Sequence, residues 1–468
     1  MSEKTETQIL KEKLFLKREH CSNLLSKEEV EKCDEFCEGY KSFMSQVKME
    51  REAVEYAVLE AEKRGFKPFD KKGSYKAGDK VYLNNRGKAV ILCVFGTESL
   101  ENGVRIAAAH VDSPRLDLKP NPLYESDEMA LFKTHYYGGI KKNQWTAIHL
   151  ALHGAVILKD GTKIKVNVGE DENDPQFVIT DLLPHLAAEQ MKETLATGIK
   201  GEGLNILVGS RPLNDEAESE LIKLNVMKIL NEKYGITEQD FQSAELSAVP
   251  AFKPVDIGFD RSLIGAYGHD DRVCAYPEMQ AIFDIDTPKY TSLCIFADKE
   301  ETGSGGNTGM ESSFLRYFIA DIARLEGLEA RDVLSNSECL SADVNAAFDP
   351  NYPSVMEKNN SSYINHGACI TKYTGARGKS GTSDASGEFM AKVRRILDKH
   401  GVIWQTGELG KVDQGGGGTV AVYIANLDVD VVDLGVPVLS MHAPFEVVSK
   451  FDVYMTYKAC LAFFGDDE

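Results

Sequence analysis

Two adjacent acids, Glu300 and Glu301, follow the apolar run YTSLCIFAD and lead into a glycine-rich stretch. Holding two carboxylates that close costs free energy unless a cation or a shared proton compensates them. Such a pair supports two jobs. One acid ligates a metal while its neighbour takes a proton from water at that metal. A lone Glu-Glu pair is usually a solvated turn, but this one has company. His110 and Asp112 close the run VRIAAAHVD, Asp270 and Asp271 follow LIGAYGH, Asp343 ends ECLSAD, and His442 ends VPVLSMH. In open α/β sheets ligands bind outside the carboxyl ends of strands, so acids and histidines there are site candidates. Two histidines with several carboxylates form a donor set for two divalent ions such as zinc, manganese or cobalt.

The elements that position these residues are legible in outline. Residues 5–65 have helical periodicity, with a capping box beginning at Ser26. The stretch 78–96 reads as a hairpin around Asn85-Arg86-Gly87, and VRIAAAH as a buried strand ending on His110. From about 115 to 250 short alternating strands take over, with Asp160-Gly161 as a hairpin turn and a helix-rich acidic run through LNDEAESELIKLNVMKILNEKYG. Near 255 strand and helix alternate again. The expectation is an α/β protein: a three-layer αβα catalytic domain with a mixed, largely parallel sheet, built from residues 1–113 and 255–468. Residues 114–254 are expected to form an inserted β-rich oligomerisation domain.

A length of 468 residues exceeds what one core usually holds, in line with two domains. With 43% hydrophobic and 27% charged residues the composition is that of a soluble globular protein. A formal net charge of −20 argues against nucleic acid and anionic membrane surfaces as partners. The polar amino-terminal segment lacks the pattern of a secretion signal, and no apolar run reaches the ~20 residues of a membrane span. The nine cysteines form no CxxC pair and many lie in apolar runs, which points to reduced, buried thiols and a cytoplasmic location. Gln414-Gly415-Gly416-Gly417-Gly418-Thr419 would let backbone N–H groups approach a substrate, with Gly417 and Gly418 as candidate contacts. A phosphate loop is excluded at Lys379, because the position six residues before it is Tyr373 rather than glycine.

The order HVDSP, GHDDR, EE-x-GS, SAD, VVDLG and SMH resembles the aspartyl aminopeptidase family, which includes vacuolar aminopeptidase I. Each motif is weak alone, whereas six in one order across most of the chain are specific. The resemblance implies a dinuclear metallo-aminopeptidase that removes one amino-terminal residue from peptides. It implies that His110 and Asp343 hold one metal, Glu301 and His442 the other, and that Asp271 bridges them, as the aspartate that precedes Arg272. Glu300 is then the general base, and Asp112 orients His110. The resemblance further implies that His185, in the PHLA motif, reaches a neighbouring subunit's active site to hold the scissile carbonyl oxygen. Lys372 falls near a family lysine that meets acidic substrate side chains, while Lys379 or a shifted residue stands where eukaryotic members carry a tyrosine near the metals, a departure from the family pattern. Zinc is the expected metal, with manganese or cobalt as alternatives, and the expected assembly is a dodecamer built from dimers. Two rival readings are a two-metal deacylase or carboxypeptidase, and a non-catalytic assembly that kept the fold. Presence of all five ligands and the base disfavours the second.

Overall fold

Ser26 starts the long helix Lys27–Gln46 as expected: its hydroxyl accepts from the Glu29 amide, and Glu29 accepts from the Ser26 N–H in return. Cys33, Cys37, Tyr40, Phe43 and Met44, spaced three and four apart, bury one stripe of this helix. The structure is a computed structural model that describes residues 4–214 and 218–468.

The stripe packs against helices His269–Asp284 and Lys450–Gly465, which cover one face of a nine-stranded mixed sheet. In spatial order its strands are Lys67–Pro68, Lys80–Asn85, Ala89–Val94, Ser292–Ala297, Arg105–His110, Glu338–Ser341, Asp430–Gly435, Ala368–Thr371 and Trp404–Thr406. The four strands from Ser292–Ala297 to Asp430–Gly435 pair in parallel, and the neighbours on either side of them join antiparallel. Period-two alternation divides the strand residues between two cores. Val90, Leu92 and Val94 join helices Lys27–Gln46, His269–Asp284 and Lys450–Gly465, whereas Ala89, Ile91 and Cys93 join helix Phe314–Ala323 on the other face. The sheet is therefore covered by helices on both sides, which explains why its central strands read as continuous apolar runs.

A second, antiparallel sheet takes its strands from between residues 115 and 250. Its order is Lys163–Val168, Leu150–Ile157, Ala244–Pro250, Arg115–Ser126, Met129–Tyr137, Ile206–Gly209. It encloses its own apolar core, including Trp145, Leu150, Phe132 and Ile206. Asp160-Gly161 lies in the hairpin between Leu150–Ile157 and Lys163–Val168, with Gly161 in the left-handed region at φ +88°. Of the acidic run, helix Leu221–Tyr234 is present, and residues 215–217 lie outside the described residues. A buried ionic joint ties this sheet to the amino-terminal helices. His153 Nδ1 lies 2.9 Å from Glu52 and Nε2 lies 3.1 Å from Glu170, which also pairs with Lys48 at 3.3 Å. Burial favours the neutral imidazole, but the two carboxylates outweigh it and hold the His153 pKa above its ordinary value.

A third sheet of five short strands completes the frame: Val255–Ile257, Leu263–Ala266, Glu446–Ser449, Pro437–Leu439, Asn345–Ala346. It brings the 440–445 turn beside the segment that follows Ala266. All nine cysteines are buried and unpaired. Among the described residues no helix is long and apolar enough to cross a membrane.

Candidate metal centre

The parallel strands deliver the site at their carboxyl ends. His110 is the last residue of Arg105–His110. Glu300 and Glu301 form a short 3-10 turn just after Ser292–Ala297, and Asp343 follows Glu338–Ser341. His442 comes from the third sheet's turn, in the left-handed region at φ +63°, a rare conformation for a non-glycine residue. Asp270 and Asp271 open the segment His269–Asp284 with non-helical backbone angles, so the regular helix starts after them.

These side chains converge into two groups. The ligand atoms of His110, Asp271 and Asp343 lie within 4.8 Å of one another, as do those of Asp270, Glu301 and His442. The expected pairings of His110 with Asp343 and of Glu301 with His442 are thus the ones brought together. The carboxylate between the two histidines is another matter. Sequence reading selects Asp271, but Asp270 occupies that place. Its Oδ1 stands 3.1 Å from His110 Nε2 and its Oδ2 stands 3.2 Å from His442 Nε2. The backbone angles (φ −75°, ψ 108° at Asp270; φ −114°, ψ 23° at Asp271) send the two side chains in different directions. Asp271 is fully buried beside His110 and Asp343. Burial, reinforced by the Asp270 charge, pushes its carboxyl pKa well up.

The donor set fits cations. Each histidine faces a main-chain carbonyl with Nδ1: His110 with Asp112 O at 3.0 Å and His442 with Gly139 O at 2.8 Å. With Nδ1 protonated to make those bonds, a neutral ring turns the Nε2 lone pair toward carboxylate oxygens, an arrangement that requires a proton or a metal ion between them. Burial alone would keep both rings neutral. The facing carboxylates instead raise His442 to about 10 and His110 well above its ordinary value. Asp270 Oδ1 makes no hydrogen bond despite its short approach to His110, and both Asp271 oxygens and Glu301 Oε1 are likewise buried without a partner. Burial also pushes Glu301 and Asp343 well up, with neighbouring carboxylates adding to it. Unpaired buried oxygens around two imidazoles are what two divalent ions would satisfy.

Asp112 has a broader role than orienting His110. Its carboxylate lies 3.4 Å from His110 Nδ1, farther than its own carbonyl. Oδ1 accepts from the Glu300 N–H at 3.1 Å, and Oδ2 accepts from the Glu301 N–H at 3.2 Å and from Tyr137 Oη at 2.7 Å. Burial pushes this carboxyl up, but hydrogen bonds from His110 and Tyr137 outweigh it and hold its pKa below the usual range. Glu446, also overlooked in the sequence, staples the two halves of the site. Its Oε1 accepts from the His442 N–H at 2.7 Å and its Oε2 from the Asp270 N–H at 3.1 Å. His269 is a bystander: its ring lies between Tyr40 Oη and Ile264 O, and burial lowers its pKa to about 3.

The centre opens into a cavity of about 890 Å³ whose wall includes Glu300, Gly417, Gly418 and, from the second sheet's side, Ile140 and Lys141. Lys372 is not part of that wall. Its ammonium is held by Asp384, which also takes Lys379 at 2.8 Å. His185 is exposed, in a stretch with exposed Leu182, Leu183 and Leu186, and belongs to neither ligand group.

A three-layer α/β scaffold with a two-histidine, multi-carboxylate cluster at its strand ends defines a metallohydrolase. Residues 43–464 match the family described as aminopeptidase I zinc metalloprotease (M18), and the chain belongs to that family. It is 53% identical over 435 residues to a probable M18 family aminopeptidase 1 of Clostridium acetobutylicum, covering 91% of this chain and 94% of the relative. The crystal structure of an M18 aminopeptidase from Thermotoga maritima superposes with a TM-score of 0.92 at 44% identity, covering 96% of this chain and all of the other. The S. cerevisiae mApe1 dodecamer shares the fold, with a TM-score of 0.74 at 22% identity over 92% of this chain and 96% of the other. The protein is accordingly an M18 aminopeptidase, a hydrolase acting on peptides.

Proposed function

We propose that this chain removes single amino-terminal residues with two divalent ions per subunit, zinc first and manganese or cobalt as alternatives. The observation that carries the reading is Asp270, which presents one oxygen to each histidine. His110, Asp343 and Asp271 would hold the first ion, Glu301 and His442 the second, and Asp270 both. When bound, the pair supplies Lewis acidity to the scissile carbonyl and to the attacking water. The protein supplies the proton path. Burial, with Asp270 and Asp112 nearby, pushes Glu300 up to about 7 when no ion is bound; as general base it would accept a proton from the attacking water and return it to the departing amine. An oxygen–carbon bond forms, the carbon–nitrogen bond breaks, and the proton ends on the new amino terminus. Backbone N–H groups of Gly417 and Gly418 flank the substrate.

The cavity wall supports a reading of the side-chain preference. The resemblance ties acidic substrates to Lys372, whose ammonium is engaged by Asp384 off the wall. Tyr352, Val355, Met356, Leu409 and Met441 are on it, together with the carboxylate of Asp349 and the ammonium of Lys141. We assign apolar residues as the preferred amino terminus. Aminoacyl-p-nitroanilides test both levels: Leu and Met substrates should outpace Glu and Asp by at least ~10-fold in kcat/KM, a typical discrimination for an apolar pocket, and N-acetyl-Leu-p-nitroanilide should be inert. Hydrolysis of the blocked substrate would turn the reading toward an endopeptidase or deacylase. Faster cleavage of Glu would return Lys372 to the substrate pocket.

We also infer that residues 114–254 form the assembly domain of a homo-oligomer, a dodecamer by analogy with mApe1, located in the cytoplasm. The exposed leucines around His185 support this, since a 69%-exposed Leu186 beside two others is surface that a subunit contact would cover. His185 would then act in the neighbouring active site as a donor to the developing oxyanion, worth about 10²–10³ in rate. Mixing Glu300→Gln subunits with His185→Ala subunits should recover activity that neither has alone. Co-assembly confirmed by native mass with no recovery would sink the trans role.

A further inference from the structure

Three consecutive residues at the end of a second-sheet strand touch three members of the site. Tyr137 donates its hydroxyl to Asp112 Oδ2 at 2.7 Å. Gly138, at φ +76°, leaves room for Glu301, since a Cβ there would meet Glu301 Oε2 at 2.9 Å. The Gly139 carbonyl takes His442 Nδ1 at 2.8 Å. The second sheet thus contributes directly to the geometry of the catalytic end of the first.

Tyr137 occupies the decisive place among the three, because Asp112 is the anchor of the Glu300–Glu301 turn. That turn starts from Lys299 in the left-handed region at φ +65° and leaves through Gly303 at φ +95°. Its two amides are directed by one carboxylate, Oδ1 to Glu300 and Oδ2 to Glu301. The Asp112 carboxylate turns about a soft torsion, so the direction of those two hydrogen bonds depends on what else holds it. Tyr137 supplies a third donor from the opposite sheet. Its ring is fixed in turn: the Arg115 guanidinium stacks over it at 4.0 Å, and Arg115 is the cross-strand partner of Tyr137. Arg115 is itself tied to Glu50 at 3.1 Å and Asp117 at 2.8 Å. The chain from the Glu50 helix through Arg115, Tyr137 and Asp112 to the Glu300 amide is continuous and buried or half-buried throughout.

We propose that Tyr137 is a positioning residue for the Glu300–Glu301 pair, acting through Asp112, so that the second sheet sets where the base stands relative to its substrate. The proposal rests on the reading of Glu300 as the general base. Small misplacements of a reacting group have large kinetic costs, about 10²-fold for 1 Å, while loss of one of three donors to Asp112 leaves the turn in place.

Tyr137→Phe deletes the hydroxyl and keeps the ring under Arg115. In the assembled, metal-loaded enzyme, kcat on Leu-p-nitroanilide should fall about 10-fold, with KM, bound metal per subunit and Tm at wild-type values. A double-mutant cycle with Asp112→Asn supplies the second readout. If Tyr137 acts through Asp112, adding Tyr137→Phe to Asp112→Asn should cost less than twofold further in kcat. Unchanged kcat, a fall that tracks lost metal or lowered Tm, losses that multiply in the cycle, or a variant that does not assemble would each overturn the proposal. A wild-type enzyme inactive on Leu-p-nitroanilide but active on Glu-p-nitroanilide would instead overturn the apolar preference, and one inactive on every aminoacyl-p-nitroanilide the proposed amino-terminal cleavage.

Discussion

Asp270→Asn should leave the protein folded and unable to retain either ion, with activity lost along with them. The carboxylate presents Oδ1 to His110 and Oδ2 to His442, so an amide in its place removes charge from both halves at once. The loss in metal affinity should exceed the roughly 10–100-fold typical of a residue that only supports a ligand. Asp271→Asn is the control. Asp271 groups with His110 and Asp343 but not with His442, so its amide should weaken only the first ion and spare the second. Metal titration of the two variants, followed by plasma mass spectrometry of dialysed protein, separates them. If Asp271→Asn empties both positions and Asp270→Asn neither, the shared carboxylate has been misassigned.

Glu300→Gln should lose ~10²–10⁴ in kcat, the range for a general base, while both ions remain. The reason lies in what Glu300 touches. Its Oε2 is 3.8 Å from His110 Nε2, outside the two ligand groups, and its main chain, not its side chain, is what Asp112 anchors. Glutamine preserves shape and the Asp112 hydrogen bond and removes only the basic oxygen. Turnover near wild type in protein shown to carry two ions per subunit would end the assignment of Glu300 as base.

Much of this architecture was legible in advance because strand ends announce themselves. His110, Glu300 and Asp343 each terminate an apolar run, and all three stand at carboxyl ends of adjacent parallel strands. The helical amino terminus and its Ser26 cap followed from spacing. What escaped depends on backbone direction or on distant partners. Asp270 and Asp271 are neighbours of one residue type, and only the non-helical angles at both decide which one faces the histidines. Lys372 is a substrate contact only through the family resemblance, and its partner Asp384 lies across a loop that composition does not place. Tyr137, Gly139 and Glu446 carry no motif. A tyrosine after an alternating strand reads as surface or core, and its contact with Asp112 exists only once two sheets have met. Glu446 is one acid in a chain rich in acids until its oxygens are seen on the amides of His442 and Asp270.

The site draws on segments scattered from His110 to Glu446, and His442 and Glu446 come after every other member in chain order. A nascent polypeptide still on the ribosome therefore carries the first ligand group, His110, Asp271 and Asp343, beside an incomplete second one. It holds His110 and the glutamate pair, but it lacks the second imidazole and the acid that fastens Asp270. Peptide-cleaving power thus arrives last, after the surrounding scaffold has been made.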